Sequence, residues 1–375
     1  MAKYATLTEW RALAEMSRYS SIFQRTWPSV PVCLNARRST ITHIPKRSLF
    51  VLPFGLDVGI LGVSAYFLTR LKKPDPSNVT SVFGPEPGSQ ESMLHPEKMV
   101  SCIAHRGAGL DAPENTLEAF RYCVEHECNF IELDVRTCRD GKLVLLHDQG
   151  LERLAGSQLS DVHEVDWEKI KNIDVGSTHP NRNKFKEVHL CLLDDALDYL
   201  LANNVRVIID VKGEDDDIVN GILKTFSDRP SLYENAAITC FNPLKLYQVR
   251  KINSDCIVHR FGSDAITHTG LRVLDALHAA LWRWSARWCS ASAVLLHKDI
   301  VSPSEVRYWR DLGVRCIGWS VNRPLEKLYW RGVLKAPYLA NTLLGEPEVS
   351  ILNLGPYRGK CVGLSQIASH NGRKF

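Results

Sequence analysis

The segment 102–148 constrains the fold of this chain more strongly than any other part of its sequence. It contains the apolar runs 101–105, 130–135 and 143–147, and each run carries or ends in charged or titratable residues. Short apolar runs bounded by turn-forming residues predict buried strands. We therefore expect three strands that bring histidines, carboxylates and an arginine to their ends.

The second run alternates, so that Glu132 and Asp134 point to one face of the strand and the apolar residues between them to the other. Two carboxylates that close repel each other unless a cation lies between them. The Arg-Asp-Gly-Lys sequence at 139–142 predicts a turn, and the gap to Leu143 is too short for a parallel crossover. The second and third runs therefore predict a hairpin in which Asp134 faces His147.

Beyond residue 100 the pattern alternates between strands and helices, which is typical of a parallel β/α fold. Eight strands are predicted, at 101–105, 130–135, 143–147, 205–211, 236–241, 256–260, 293–296 and 314–321. Helices are predicted near 115–127, 193–203, 215–227, 243–252, 303–312 and 324–332. We therefore predict an irregular (β/α)8 TIM barrel with its charged residues at the carboxyl ends of the strands, where barrel active sites lie. The hairpin leaves no room for a second helix, and residues 148–192 predict an insertion over the mouth.

Three motifs together resemble the glycerophosphodiester phosphodiesterase family: HRGxxxxAPENTLEAF from His105, ELDV from Glu132 and DGKLVLLHD from Asp140. Weaker matches follow at 208–213, 238–243 and 318–324. The animal membrane-bound branch of the family is the most similar. The resemblance implies a barrel of the phospholipase-C-like phosphodiesterase type. It also implies hydrolysis of glycerophosphodiesters, glycerophosphoinositol above all, to sn-glycerol 3-phosphate and an alcohol.

Two other functions stay open at the level of the sequence. One is lysophospholipase D activity on lysophospholipids or N-acyl glycerophospholipids. The other is a catalytically impaired membrane scaffold, which is supported by two positions at which the sequence differs from the family. The usual third glutamate ligand is replaced by Asp210, and a carboxylate that follows the last short strand in relatives is replaced by Asn341.

A metal site is predicted from Glu132, Asp134 and Asp210, the last of which ends the apolar strand 205–211. Oxygen-only ligands favour a hard divalent cation, so we expect Mg2+, with Ca2+ as the alternative. Asp210 is one methylene shorter than the family's glutamate, but it keeps the negative charge.

The predicted catalytic groups are His105 and His147, whose side chains titrate near neutral pH. The resemblance implies that one takes a proton from the nucleophile and the other protonates the leaving alcohol, and the sequence leaves the assignment open. The nucleophile is either water or the 2-hydroxyl of the glycerol. Arg106 and Lys212 are predicted phosphate clamps, with salt bridges to the carboxylates as the alternative.

The predicted substrate contacts lie at the ends of later strands. The resemblance places Trp319 against the glycerol moiety, with Asn322 beside it and Phe241 as a weaker candidate. It also places Glu114 at the border of the site. We interpret the neighbouring Asn115 mainly as a helix cap, closed into a capping box by the glutamate three residues on.

The predicted domain organisation has five parts. They are a basic tail (1–46), a transmembrane helix (47–73), a proline-rich linker (74–98), the catalytic barrel (99–345) and a loose C-terminal tail (346–375). The apolar stretch 49–69 is about as long as a bilayer needs, although Asp57 is costly within a span. We therefore expect a single-pass protein of an endomembrane or the plasma membrane, with a mitochondrial presequence as the alternative reading of the tail.

Charge is distributed unevenly along the chain, whose net charge is +4. Residues 1–73 hold eleven Lys and Arg against three Asp and Glu, which leaves −4 on the rest. The barrel shows no basic-aromatic pattern typical of nucleic-acid binding, so we expect no nucleic-acid partner. Residues 271–290 predict an amphipathic helix with tryptophans at helical spacing. This helix either lies on a membrane or packs on the barrel wall.

Overall fold

The computed structural model describes residues 66, 69–185, 187–213, 216–252, 257–261 and 272–345. Both predicted tails, 1–46 and 346–375, lie outside the described residues. Of the predicted membrane span 47–73, only residues 66 and 69–73 are described. Among the described residues, no helix has both the length and the apolarity needed to cross a bilayer. The described residues from Thr69 onward form one compact unit, in which all the elements below lie.

The described part of the chain contains one nine-stranded sheet. Its strands are β1 (Cys102–His105), β2 (Phe130–Thr137), β3 (Leu143–Leu145), β4 (Arg206–Val211), β5 (Ala236–Cys240), β6 (Ile257–Phe261), β7 (Ala293–His297), β8 (Arg315–Trp319) and β9 (Tyr338–Ala340). Eight of them pair in parallel, in the order β1, β2, β4 to β9, and β9 pairs again with β1. The ring is closed, and β3 lies outside it, antiparallel to β2.

The predicted TIM-barrel-like fold is therefore confirmed, with one strand reassigned. The run 143–147 was counted into the ring and forms instead the short outer arm of the hairpin. The eighth place belongs to Tyr338–Ala340, which pairs with β1 and β8. Three residues are too few to show a strand periodicity, so the pattern of the sequence could not reveal them.

The seven predicted helices are found close to their expected positions, and five further helices were not predicted. The helices are α1 (Pro76–Phe83), α2 (Gln90–Leu94), α3 (Leu117–Glu125), α4 (Glu152–Ala155), α5 (Trp167–Ile170), α6 (Leu193–Ala202), α7 (Asp216–Asp228), α8 (Leu232–Asn235), α9 (Pro243–Ile252), α10 (Arg272–Trp288), α11 (Pro303–Asp311) and α12 (Pro324–Tyr329). Single 3-10 turns form at Pro96–Lys98, Val162–Glu164, Arg182–Lys184 and Lys298–Ile300, and a π turn at Trp330–Leu334. Between β2 and β3 the described chain has only a turn, as the hairpin requires.

Helix α1 contributes to the barrel core. The proline-rich composition of 74–98 predicts a linker, whereas the structure has two helices and a 3-10 turn there. Val82 and Phe83, at the end of α1, are buried against residues that point into the ring, such as Ile103 and Phe130. Ile103 and Phe130 belong to the beginnings of their strands, so α1 covers the amino-terminal end of the barrel, away from the strand ends that carry the charges.

The segment 148–192, which follows the hairpin, forms a small apolar cluster together with Cys138, Val144 and Leu146. It also contacts the loop that follows β1: the His179 ring bonds to the Gly109 carbonyl oxygen at 3.2 Å, and Asn181 donates to the Asp111 carbonyl at 3.2 Å. The segment therefore lies beside the carboxyl end of β1, at the mouth of the barrel.

Candidate active site

Three buried carboxylates meet at the carboxyl end of two neighbouring strands. Glu132 and Asp134 come from one face of β2, and the parallel register sets Asp134 beside Asp210 of β4. Oxygen atoms of the three side chains lie within 4.8 Å of one another, and all three residues are fully buried. Strand alternation puts Glu132 and Asp134 on one face of β2. Asp210 joins them because β2 and β4 end at the same level of the barrel.

The cluster has oxygen atoms without partners. Neither Glu132 Oε1 nor Asp210 Oδ1 has a hydrogen-bond partner among the described residues, and both atoms are buried. Burial, then the charges of the neighbouring carboxylates, raise the pKa of Glu132 well above its usual range, and burial raises the pKa of Asp210 to about 7. Unpaired buried carboxylate oxygens are costly unless they bind a cation. This donor set therefore fits a hard divalent metal ion.

Two cations of the protein contact the same carboxylates. Lys212 Nζ lies 2.5 Å from Asp210 Oδ2 and 3.2 Å from Asp134 Oδ1. Arg106 Nε lies 3.2 Å from Asp134 Oδ2, and its Nη1 donates to Glu114 Oε1 at 3.0 Å. Burial alone would raise the pKa of Asp134, but Lys212 and Arg106 lower it below its usual range. The salt bridges are thus present, and phosphate binding by the two cations stays a prediction.

His105 is held by an amide. Its Nδ1 forms a short hydrogen bond with Asn341 Oδ1, and an amide oxygen only accepts, so Nδ1 carries the proton. Nε2 is then unprotonated and lies 3.8 Å from Glu132 Oε2, facing the carboxylates. Burial, then Arg106, lower the pKa of His105 to about 4. The imidazole is therefore neutral near pH 7, with its basic nitrogen directed into the site.

Asn322, a predicted substrate contact, accepts a hydrogen bond from the Asn341 backbone N–H at 2.8 Å. It therefore positions the residue that holds His105, and its contact with substrate stays a prediction. Trp319 ends β8 at the same mouth, where the His297 ring meets it edge-on at 4.7 Å between centroids. Phe241 follows β5, with Lys212 Nζ 5.1 Å from its ring centroid.

His147 lies just beyond the hairpin, one residue from the predicted register. The Leu146 N–H donates to the Asp134 carbonyl at 3.0 Å, so Leu146 and not His147 opposes Asp134, and that part of the prediction was wrong. His147 Nδ1 lies 2.7 Å from Asp148 Oδ1, while burial lowers the pKa of the ring. His147 follows Leu146, which bonds to the Asp134 backbone, and His105 Nε2 lies 3.8 Å from Glu132 Oε2, so the two imidazoles share one end of the barrel.

Arg153 was not predicted as part of the site. It donates to both oxygens of Glu114, at 2.7 and 3.0 Å, and to Asp148 Oδ2 at 2.6 Å. Glu114 in turn holds Arg106, and Asp148 holds His147. One guanidinium from the insertion therefore links the partners of two predicted catalytic residues.

Asn115 does not cap the helix, and this prediction was wrong. The N-cap of α3 is Thr116, whose Oγ1 accepts from the Ala119 N–H at 3.2 Å. Asn115 has a left-handed φ of 58° and donates through Nδ2 to Asp134 Oδ2 at 2.9 Å, while its Oδ1 accepts from the Asp134 N–H at 3.0 Å. It therefore holds a carboxylate of the cluster from both ends.

We expect Asn115→Gly to weaken divalent-metal affinity by about 10- to 100-fold, as the loss of a residue that orients a metal ligand does. Glycine tolerates the positive φ, so the change removes the hydrogen bonds without backbone strain. Metal titration calorimetry measures the effect. The matched control is Asn204→Gly, at an exposed residue with a φ of 56°. Equal affinity in the wild type and Asn115→Gly would contradict the role given to Asn115.

Arg136 is a second residue that the sequence reasoning missed. It is the next residue after Glu132 and Asp134 on the same face of β2, so alternation had pointed to it. Its Nε and Nη2 donate to the His147 carbonyl at 3.0 and 2.7 Å, and its Nη1 donates to the Lys212 carbonyl at 3.3 Å. Arg136 therefore fixes the backbone of two predicted catalytic residues.

For Arg136→Met we expect kcat to fall by about 10- to 100-fold, because the His147 and Lys212 backbones lose their common donor. The measurement is steady-state turnover of a glycerophosphodiester at saturating metal. Arg139→Met is the control, since Arg139 pairs only with Asp166 among the described residues, on the exposed hairpin turn. A decrease of the same size in both variants would show that Arg136 acts on stability alone.

Comparisons with known proteins agree with this geometry. The glycerophosphoryl diester phosphodiesterase family matches residues 105–338. Glycerophosphodiester phosphodiesterase 1 of Homo sapiens is 30% identical over 285 residues, which cover 71% of this chain and 85% of the human protein. A glycerophosphodiester phosphodiesterase of Caldanaerobacter subterraneus is 29% identical over 240 residues, or 62% of this chain and 90% of that one.

Solved structures share the fold. A phosphodiesterase from Oleispira antarctica in complex with the product sn-glycerol-3-phosphate superposes with a TM-score of 0.54 at 16% identity, covering 64% of this chain and 92% of its own. A glycerophosphodiester phosphodiesterase from Agrobacterium tumefaciens gives a TM-score of 0.50 at 20% identity, covering 65% and 97%. At these identities the likeness concerns the barrel itself.

Proposed function

The chain belongs to the glycerophosphoryl diester phosphodiesterase family, and we propose on this premise that it hydrolyses glycerophosphodiesters to sn-glycerol 3-phosphate and an alcohol. One observation carries the proposal. The oxygens of Glu132, Asp134 and Asp210 lie within 4.8 Å of one another, and His105 Nε2 lies 3.8 Å from Glu132 Oε2. A phosphodiester needs a cation on its phosphoryl oxygens, a base and an acid, and this end of the barrel carries all three functions.

Glu132, Asp134 and Asp210 would hold the divalent metal ion, for which Mg2+ is our first choice and Ca2+ the second. When bound there, the ion supplies positive charge to the phosphoryl oxygens. Arg106 and Lys212, already beside these carboxylates, would bind the remaining phosphoryl oxygens. The buried carboxylates therefore orient both protein cations toward one phosphate.

We assign the base to His105 and the acid to His147. His105 is neutral near pH 7 and directs Nε2 toward the cluster, so it can take the proton of the attacking hydroxyl. His147 is beside Asp148, whose carboxylate stabilises the imidazolium that protonates the leaving alcohol. The nucleophile is either water or the 2-hydroxyl of the glycerol, and the second case gives a cyclic phosphate first.

The direct test incubates the purified full chain with glycerophosphoinositol and Mg2+, and follows sn-glycerol 3-phosphate enzymatically and cyclic phosphate by phosphorus NMR. We expect turnover that EDTA abolishes and Mg2+ restores. Turnover that persists in EDTA would remove the metal from the mechanism. An absence of turnover with every headgroup and every divalent metal would contradict the proposed activity.

A second substrate class is favoured by apolar side chains at the mouth. Phe241 and Leu244, which follow β5, are 44% and 61% exposed. An acyl chain of a lysophospholipid or an N-acyl glycerophospholipid would cover them, which glycerophosphoinositol cannot do. Comparing the release of inositol with that of choline or ethanolamine from acylated substrates distinguishes the two classes. A higher kcat/KM for the acylated substrates would assign lysophospholipase D activity.

We also propose that the chain is attached to an endomembrane or the plasma membrane through residues 47–73. Support comes from the apolar stretch 49–69, which has basic residues on both sides. Full-length protein should remain in the membrane pellet after extraction at alkaline pH. Its complete release into the supernatant would contradict the attachment.

A further inference from the structure

Helix α10 presents large apolar side chains that are about half exposed to solvent. Ser285 and Ala286 are buried against the barrel, as expected of a helix that packs on its wall. By contrast, Leu277, Leu281 and Trp284 are 55%, 56% and 47% exposed. Their spacing of four and three residues puts them on one stripe of the helix. Large apolar residues exposed together in this way mark a binding surface.

Two arginines border this stripe. Arg283 and Arg287 line an open groove of about 510 Å³ between α10 and α11, with Trp284 at its edge. Their guanidinium groups lie 5.3 and 5.4 Å from the centre of the Tyr308 ring. Glu305 pairs with Arg283 at 2.7 Å, while Arg287 is exposed and donates to the Tyr308 hydroxyl. The groove thus holds a positive charge next to an apolar stripe, on a part of the chain (74–375) whose net charge is −4.

The path of the chain indicates what covers this face. Thr69 accepts at Oγ1 from Trp288 Nε1 at 2.9 Å, and the Leu71 N–H donates to the Trp288 carbonyl at 3.3 Å. Trp288 ends α10, and its ring stacks on Trp284 with 5.9 Å between centroids. The apolar stretch 49–69 therefore ends beside α10, where Tyr247 of α9 also donates to the Thr69 carbonyl at 3.0 Å, so a membrane that holds this stretch lies near these two helices.

We propose that α10 docks on a bilayer that contains anionic phospholipid, with Leu277, Leu281 and Trp284 among the acyl chains. Arg287 and Arg283 face the lipid phosphates, an arrangement typical of interfacial helices. The proposal rests on the proposed membrane attachment for the choice of a bilayer and is independent of the proposed hydrolysis. It assigns to the barrel wall a lipid contact that is separate from the carboxylate cluster.

Photocrosslinking in the full chain tests the docking. We replace Leu281 by p-benzoylphenylalanine and reconstitute the protein in vesicles of phosphatidylcholine, with or without phosphatidylserine. After irradiation, mass spectrometry identifies what is attached at position 281. The matched control carries the same group at Lys224, which is exposed on α7. We expect lipid adducts at 281 in clear excess over 224, and a higher yield with phosphatidylserine.

The double variant Arg283→Gln, Arg287→Gln should lose the phosphatidylserine effect, since each surface arginine strengthens such binding by about fivefold. Equal yields at 281 and 224 would overturn the proposal, and so would adducts of 281 with the chain's own amino-terminal residues or with a second copy. Hydrolysis of glycerophosphoinositol, measured on the same samples, reports on the carboxylate cluster. A failure of docking is thereby distinguished from a failure of the proposed activity.

Discussion

Replacing Glu132 by Gln should reduce kcat/KM by at least about three orders of magnitude and abolish binding of the divalent metal. The change removes one of three charges in a cluster whose oxygens lie within 4.8 Å. It should do so without unfolding the protein. Burial and the neighbouring carboxylates raise the pKa of Glu132, which favours the neutral form of this carboxyl in the metal-free protein. Glutamine has the shape of that neutral form.

Calorimetric titration and thermal unfolding measure the two effects separately. Metal that binds only the native state raises the unfolding temperature of the wild type, and it should leave that of Glu132→Gln unchanged. Asp166→Asn is the control, because Asp166 forms a partly exposed ion pair with Arg139 and surface pairs contribute little. A metal-dependent rise of the unfolding temperature in Glu132→Gln would place the metal elsewhere.

The same reasoning extends to Asp210, where the family has a longer side chain. Asp210→Asn should behave like Glu132→Gln, since burial already raises the pKa of Asp210 to about 7 and the variant copies its neutral form. Asp210→Glu keeps the charge, and we expect it to retain metal binding and most of the activity. Loss of binding in both variants would mean that the short side chain sets the geometry of the site.

The carboxylate cluster was predictable because it depends on two regular features. Strand alternation places Glu132 beside Asp134 whatever the rest of the fold does. Asp210 joins them because parallel strands of a barrel end at one level, where β2 and β4 are in register. The sequence shows that Asn341 replaces a carboxylate found in the family. It does not show that Asn341 contacts His105.

The two wrong predictions, the helix cap at Asn115 and the register of His147, are each wrong by one residue. Asparagine is favoured both as a helix cap and in the left-handed conformation, so the sequence alone did not separate a cap at Asn115 from one at Thr116. The hairpin register depends on the turn between Cys138 and Lys142, and a shift by one residue moves His147 out of line with Asp134. The sequence gives no sign of the long-range contacts of Arg153, and the alternation that puts Arg136 on the same strand face as Asp134 does not show what Arg136 contacts.

Replacing His105 by Ala should lower kcat by about 100- to 10,000-fold, which is the usual contribution of a positioned general base. Metal affinity should change little, because His105 Nε2 is 3.8 Å from the nearest carboxylate oxygen, Glu132 Oε2. Turnover and metal titration on the same protein separate the two effects. The control is His95→Ala, an exposed histidine before the barrel. An unchanged kcat in His105→Ala would contradict the assignment of His105 as the general base.

The pH dependence of Asn341→Asp tests how that base is tuned. His105 must be neutral to accept a proton, and burial lowers its pKa to about 4, so at saturating metal protonation of this base should not limit the wild type until about pH 4. A carboxylate on Nδ1 stabilises the imidazolium and raises the pKa of His105. The acid limb of kcat/KM should then move to higher pH, whereas Asn341→Ala should lower kcat without such a shift. An acid limb of Asn341→Asp that coincides with that of the wild type would show that Asn341 does not set the basicity of His105.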